Sequence, residues 1–184
     1  LSIESDNIKY IVLRNEDFFL ILEIQFNDKS NKIFTENYPL DDDVISIFIR
    51  AQNEMTMPVR MDFKITVFNP VKQKSDESQD LFYYLEGELD VDFLYETTFR
   101  SDKGTSYEVL KNISEEGLLG FATNIKGTED NMTWINPADY IKDYMKEITI
   151  NSFIDKNSFL ISYIDFYYNF CFLNIEKELQ SDIS

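Results

Sequence analysis

The side chains here with most scope for chemistry are carboxylates: 34 Asp and Glu face only 17 Lys and Arg, for a net charge of −17 at pH 7. Two carboxyls flanking a cleft can cleave a glycoside, and alternating oxygen ligands around a central Gly with a distal Glu can hold calcium. The acidic runs Asp41-Asp42-Asp43, Asp90 with Asp92, and Glu115-Glu116 lack the calcium frame and read as solvated faces. So many acids single out no pair for sugar chemistry, and the one Trp, Trp134, is little for stacking against a sugar. There is no His, which removes His-dependent triads and His-containing zinc sites. The single Cys removes an intrachain disulfide framework and any four-thiolate zinc site. Cys171 lies in Phe170-Cys171-Phe172, an apolar setting that raises a thiol pKa rather than activating it. The expectation is therefore binding rather than catalysis, with no catalytic residue, no metal and no cofactor.

The charge also limits the partners. Nucleic-acid binders neutralise phosphates with clustered positive charge, so no nucleic-acid partner is expected. An acidic surplus can steer a protein onto a basic one, and an acidic inhibitor or immunity-type protein neutralising a basic partner is the alternative function. No apolar run reaches the roughly 18 residues that cross a bilayer, so no membrane partner is expected. The opening Leu1-Ser2-Ile3-Glu4-Ser5-Asp6 has neither a basic nor an apolar segment and does not read as a signal peptide. Without an initial Met it is expected to be cut from a longer protein. An intracellular setting, cytoplasmic or nuclear, follows from the one unpaired Cys.

These side chains must be carried by elements, and the prevailing period is two. In 59–68 the apolar Val59, Met61, Phe63, Ile65 and Val67 alternate with Arg60, Asp62, Lys64 and Thr66, which predicts a strand with one buried face. Further strands are expected at 8–13, 18–26, 44–50, 81–85, 89–98, 106–111 and 118–123. A long one is expected at 159–174, with a bend near Asp165 to Asn169. One helix is predicted near 137–148, capped by Asn136, with Pro137 in its first turn and Ile141, Met145 and Ile148 as its stripe. A weaker helix is expected at 175–181, a mobile polar loop at 72–79 and another flexible stretch at 126–131. The sum is an all-β, antiparallel sandwich over one domain, residues 1–184.

The order of these segments resembles the MATH (meprin and TRAF homology) family. DVISIFIRAQ, a connector ending in Met57-Pro58, and VRMDFKITVFNP are similar to two consecutive family strands. The stretch 135–168, with Phe153-Ile154-Asp155-Lys156-Asn157-Ser158-Phe159-Leu160-Ile161, is similar to the family's closing pattern. About 60 residues carry the likeness, and 71–105 is a long insertion relative to the family. The resemblance implies an eight-stranded antiparallel β-sandwich of TRAF/MATH type. It implies a non-enzymatic adaptor module of the ubiquitin system, binding short linear peptide motifs in a groove and oligomerising through segments outside this one. By the same resemblance the groove residues are Phe48, Phe63, Tyr107, Leu119, Gly120 and Phe121. Leu119 or, in another alignment, Trp134 stands where the family has a Trp. Independently of the family, extended ligands pair with an exposed strand and are anchored by aromatics. The parity that Phe63 shares with Val59, Met61, Ile65 and Val67 equally suits a core residue.

Overall fold

The computed structural model describes residues 3–16, 18–28, 32–36, 38–40, 43–51, 57–72 and 81–181. The chain divides into two compact units, Leu1–Asp90 and Val91–Ser184. It is a mixed α/β structure and not an eight-stranded sandwich.

The first unit is a curled, half-barrel-like antiparallel sheet. Its strands are β1 (Ile8–Glu16), β2 (Phe19–Asn27), β3 (Val44–Ile49), β4 (Val59–Lys72) and β5 (Leu81–Leu89), in the order β1-β2-β5-β4-β3. A short helix α1 (Lys32–Glu36) follows β2, and the Asp28 carboxylate accepts from Ile33 N near its start. Alternation does here what it predicts. Met61 and Phe63 of β4, Leu22, Ile24 and Phe26 of β2, and Tyr83, Leu85 and Leu89 of β5 are all buried on one face. Phe26 and Phe68 stack on Tyr83 with ring centroids 5.7 and 5.0 Å away. Burial of each such ring is worth roughly 1.5–3 kcal/mol.

The curl has a local cause. The β4–β5 register shifts between Ile65 and Val67, a bulge that bends and twists a strand. Beside it Gly87 faces β4 so closely that a Cβ there would lie 2.9 Å from the Lys64 carbonyl oxygen. Only a residue without a side chain admits that approach.

The second unit departs most from the sequence reading. Its elements are β6 (Thr97–Gly104), α2 (Ser106–Glu116), β7 (Gly120–Thr123), β8 (Met132–Tyr140), α3 (Ile141–Ile150), β9 (Leu160–Ile164), β10 (Asn169–Asn174) and α4 (Ile175–Ser181). β6 pairs with β8 in a two-stranded ribbon, while β7, β10 and β9 form a separate sheet in that order. There β7 and β10 run parallel, which an all-antiparallel sandwich does not contain.

Four expected elements are corrected. The strand expected at 89–98 is the end of β5, a turn of 3₁₀ helix over Asp92–Tyr95 that buries Leu94, and the start of β6. The strand expected at 106–111 is helix α2. Thr105 accepts from Glu108 N while the Glu108 carboxylate accepts from Thr105 N, a capping box that starts a helix before any strand can form. Val109, Leu110 and Ile113 then make the buried stripe of α2.

The helix expected near 137–148 starts at Ile141 instead. Asn136 Oδ1 does accept from Asp139 N at 2.8 Å, the contact expected of a cap. It holds a bulge in β8, where Ala138 has φ 76° and the pairing with β6 shifts between Thr97 and Phe99. Pro137 sits opposite Phe99 in that ribbon. The stripe Ile141, Met145 and Ile148 is buried as the spacing predicts.

The long strand expected at 159–174 is a hairpin. At the expected bend the chain reverses: Asp165 Oδ1 accepts from Tyr167 N and Asn169 N, and Tyr168 has φ 61°. The stretch 126–131 is irregular but tied down by side-chain hydrogen bonds. Apart from Lys72, the polar loop expected at 72–79 lies outside the described residues.

Phe63→Ala, removing a fully buried ring, should cost about 3–5 kcal/mol of unfolding free energy in a urea titration. Phe48→Ala, on a ring 66% exposed, should stay within about 0.5 kcal/mol of wild type in the same measurement.

Candidate functional site

The first unit holds a cleft of about 610 Å³. It is lined by Val44–Phe48 of β3, by Ile8 and Ile11 of β1, by Ile24 of β2 and by Ile3 and Ser5 ahead of β1. Five consecutive residues of β3 line it, and successive side chains of a strand point to opposite faces. The cleft therefore lies along the strand's edge and not against one face of it. Among the described residues β3 pairs only with β4, and β1 only with β2. The cleft thus adjoins two strands that each have one unpaired edge.

Both strands expose apolar side chains. On β1 these are Tyr10, Ile11 and Val12, and on β3 they are Val44, Phe48 and Ile49. Their polar surroundings are fastened. Ser46 Oγ donates to Asp62 Oδ1, the Arg60 guanidinium bonds the same carboxylate at 3.0 Å, and it lies 5.5 Å from the centre of the Phe48 ring. On β1, Arg14 is paired with Glu16 and Glu23.

The residues expected to form a peptide groove are divided between the two units. Phe48 and Phe63 belong to the first unit, and Tyr107, Leu119, Gly120 and Phe121 to the second. Phe63 is completely buried in the sheet core, so parity rather than family position describes it. Tyr107 lies on α2 and meets Phe121 of β7 edge to face at 5.4 Å, while Phe121 stacks on Phe170 at 6.3 Å. These rings join a helix to a sheet. Leu119 is buried, and Gly120 is exposed where β7 begins. Trp134, the other position for the family Trp, is buried and donates to the Gly104 carbonyl at 3.1 Å. The exposed apolar residues of β1 were missed because Tyr10, Ile11 and Val12 form a consecutive apolar run, a pattern that ordinarily signals burial on both faces.

Two polar clusters in the second unit could be taken for chemistry. In the first, the Arg100 guanidinium donates to both oxygens of Asp102 and to both of Glu116, and Tyr144 OH donates to Asp102 Oδ2 at 3.0 Å. Hydrogen bonds to Asp102 and then Glu116 raise the Arg100 pKa, and burial followed by the bond to Asp102 raises that of Tyr144. The cluster ties β6 to α2 and α3, with every charge opposed.

In the second, Ser106 Oγ donates to Asp130 Oδ2 at 2.6 Å, and Asp130 also accepts from Ser106 N, Thr128 Oγ1 and Phe153 N. Burial opposes the Asp130 charge, but the bonds from Ser106, Phe153 and Thr128 outweigh it and hold the pKa below the usual carboxylate range. A carboxylate so stabilised is a poor base, and Ser106 has no exposed surface. The cluster pins the start of α2 to the 126–131 segment. Burial first, then Asp165, pushes the Cys171 thiol up, as its apolar neighbours predict.

Among the described residues no group of three or more His, Cys, Asp or Glu is arranged to hold a metal ion, and no helix is long and apolar enough to cross a membrane.

No protein-family model matches the chain, and no curated protein matches it. Among solved structures it is similar to the 43 kDa tail protein of prophage MuSo2 from Shewanella oneidensis, with a TM-score of 0.48 and 8% identity over 84% of this chain and 45% of that one. It is also similar to a tail protein from Neisseria meningitidis MC58, with a TM-score of 0.46 and 12% identity over 85% of this chain and 43% of that one. The chain spans less than half the length of either structure. The MATH resemblance is overturned: no family model supports it, and the parallel pairing of β7 with β10 contradicts its all-antiparallel sandwich. The peptide-recognition function in the ubiquitin system and the inhibitor alternative fall with it.

The depressed pKa of Asp130 implies stability present above its unfolded-state value of about 3.9 and lost as pH falls through the lower folded value. Wild-type stability should therefore drop as pH falls below about 4. Asp130→Asn should be less stable at pH 7 and show a shallower acid dependence, read from urea midpoints taken from pH 7 down to below about pH 4.

Proposed function

We propose that this chain is a structural building block of a protein assembly, in which the first unit docks neighbouring subunits through its open strand edges and the cleft beside them. One observation carries the reading: both edge strands expose apolar side chains, at 37–43% for Tyr10, Ile11 and Val12 and 45–66% for Val44, Phe48 and Ile49. Natural proteins guard a free edge with charges, prolines or a covering segment, because unpaired N–H and C=O groups recruit other strands. An edge left apolar on β3, with no charged residue between Val44 and Ile49, is suited to being covered. Contiguous exposed apolar surface of this kind marks interaction sites more often than it marks accident.

Several features of the second unit support a passive role. Its polar clusters are closed upon themselves and its one thiol is buried. A tail, the setting named for the two similar structures, is one place for such a subunit, but the support for the reading is the chain's own edges.

In lysate of its source cells the chain should sediment in a particle much heavier than itself, detected by an antibody or a small tag. The variant Ile11→Lys, Val12→Lys, Phe48→Lys, which changes only exposed side chains, should sediment as the free chain. Wild-type protein found only at its monomer mass would overturn the assembly role.

A further inference from the structure

We infer that the occupant of the β3 edge is a second copy of this chain, paired antiparallel to it about a two-fold axis at Ser46; this rests on the assembly role proposed above. The cross-strand register within the unit sets the parity. Ile45 is opposite Phe63 and Ile47 opposite Met61, and both partners are fully buried, so Ile45 and Ile47 face the core. Val44, Ser46 and Phe48 face the other side, where Val44 and Phe48 are 48% and 66% exposed.

Directly opposed residues of an antiparallel pair lie on the same face. A two-fold axis at Ser46 satisfies that condition along the whole strand. It sets Val44 against Phe48 of the second copy on the outer face, Ile45 against Ile47 on the core face, and Ser46 against its own equivalent. Each exposed apolar residue on the outer face then meets another.

Charge argues for the same pairing. Exposed Asp43, the last of the acidic run 41–43, adjoins one end of β3, and exposed Arg50 adjoins the other. Antiparallel self-pairing brings unlike ends together, so each acidic end meets an arginine. On β1 the charges are mixed at one end, where Arg14 is already paired with Glu16 and Glu23, so self-pairing there sets no clean pair of unlike ends. An interface of this kind is isologous and closes as a dimer. The backbone groups of β3 that no described residue pairs, and that no apolar small molecule could satisfy along their length, would be paired by the second copy's own.

Sedimentation of the purified chain at about 100 µM, with 0.3 M salt to screen repulsion between two chains of charge −17, should give twice the monomer mass. Phe48→Lys and, separately, Val44→Lys should each weaken the dimer at least about tenfold while far-ultraviolet circular dichroism stays unchanged. In a Cys171→Ala background, Ser46→Cys should form an interchain disulfide on mild oxidation, and Val12→Cys on β1 should not. A purified chain that remains monomeric overturns the second copy while leaving open a heavy particle in lysate, which tests the assembly role separately. A dimer cross-linked through Val12→Cys and not through Ser46→Cys overturns the β3 pairing. A chain that is monomeric in both settings removes the assembly role as well.

Discussion

A sheet that curls without closing has to end in two unpaired strands, and this constraint governs the first unit. The bulge between Ile65 and Val67, and the contact that only Gly87 permits against Lys64, bend five strands around one core. Closure would have paired β1 with β3 and removed both edges. Instead a cleft of about 610 Å³ adjoins both strands. The exposed apolar side chains follow from that geometry. Residues that alternate between core and outside are sheltered on one face alone, and an edge strand lacks the neighbour that would shelter the other.

The second unit is governed by local hydrogen bonding. Thr105 with Glu108 starts α2, Asn136 holds the bulge in β8, and Asp165 reverses the chain between β9 and β10. In each case a short polar side chain bonds backbone N–H groups two to four residues away and decides the path. The apolar stripes then dock what those contacts have shaped, with Leu110, Ile113, Met145 and Ile148 fully buried. Ion pairing adds tethers, as Arg100 shows by bridging Asp102 on β6 and Glu116 on α2.

The two units differ in how legible they are. Alternation over Val59–Val67 and the apolar runs at 18–26 and 44–50 predict β4, β2 and β3 because side-chain period and burial agree there. At 106–111 the apolar residues satisfy a strand almost as well as a helix, and the Thr105–Glu108 capping box was the discriminating signal. At 136–139 the cap contact of Asn136 is real, yet β6 offered the backbone a partner and drew those residues into a ribbon. Phe63 and Phe121 lie on strands as expected, but on separate sheets, and no linear pattern encodes which strands pair.

What composition and local pattern determined was the absence of His chemistry, the acidic surface, the buried setting of Cys171 and the strands whose period matches their burial. Tertiary structure alone decided which strands pair, that β7 and β10 run parallel, and that among the described residues β1 and β3 keep one edge unpaired. The physical reason is that a residue's parity depends on its neighbours in the chain. Whether a strand's second edge finds a partner depends on segments tens of residues away and on how sharply the sheet between them can bend.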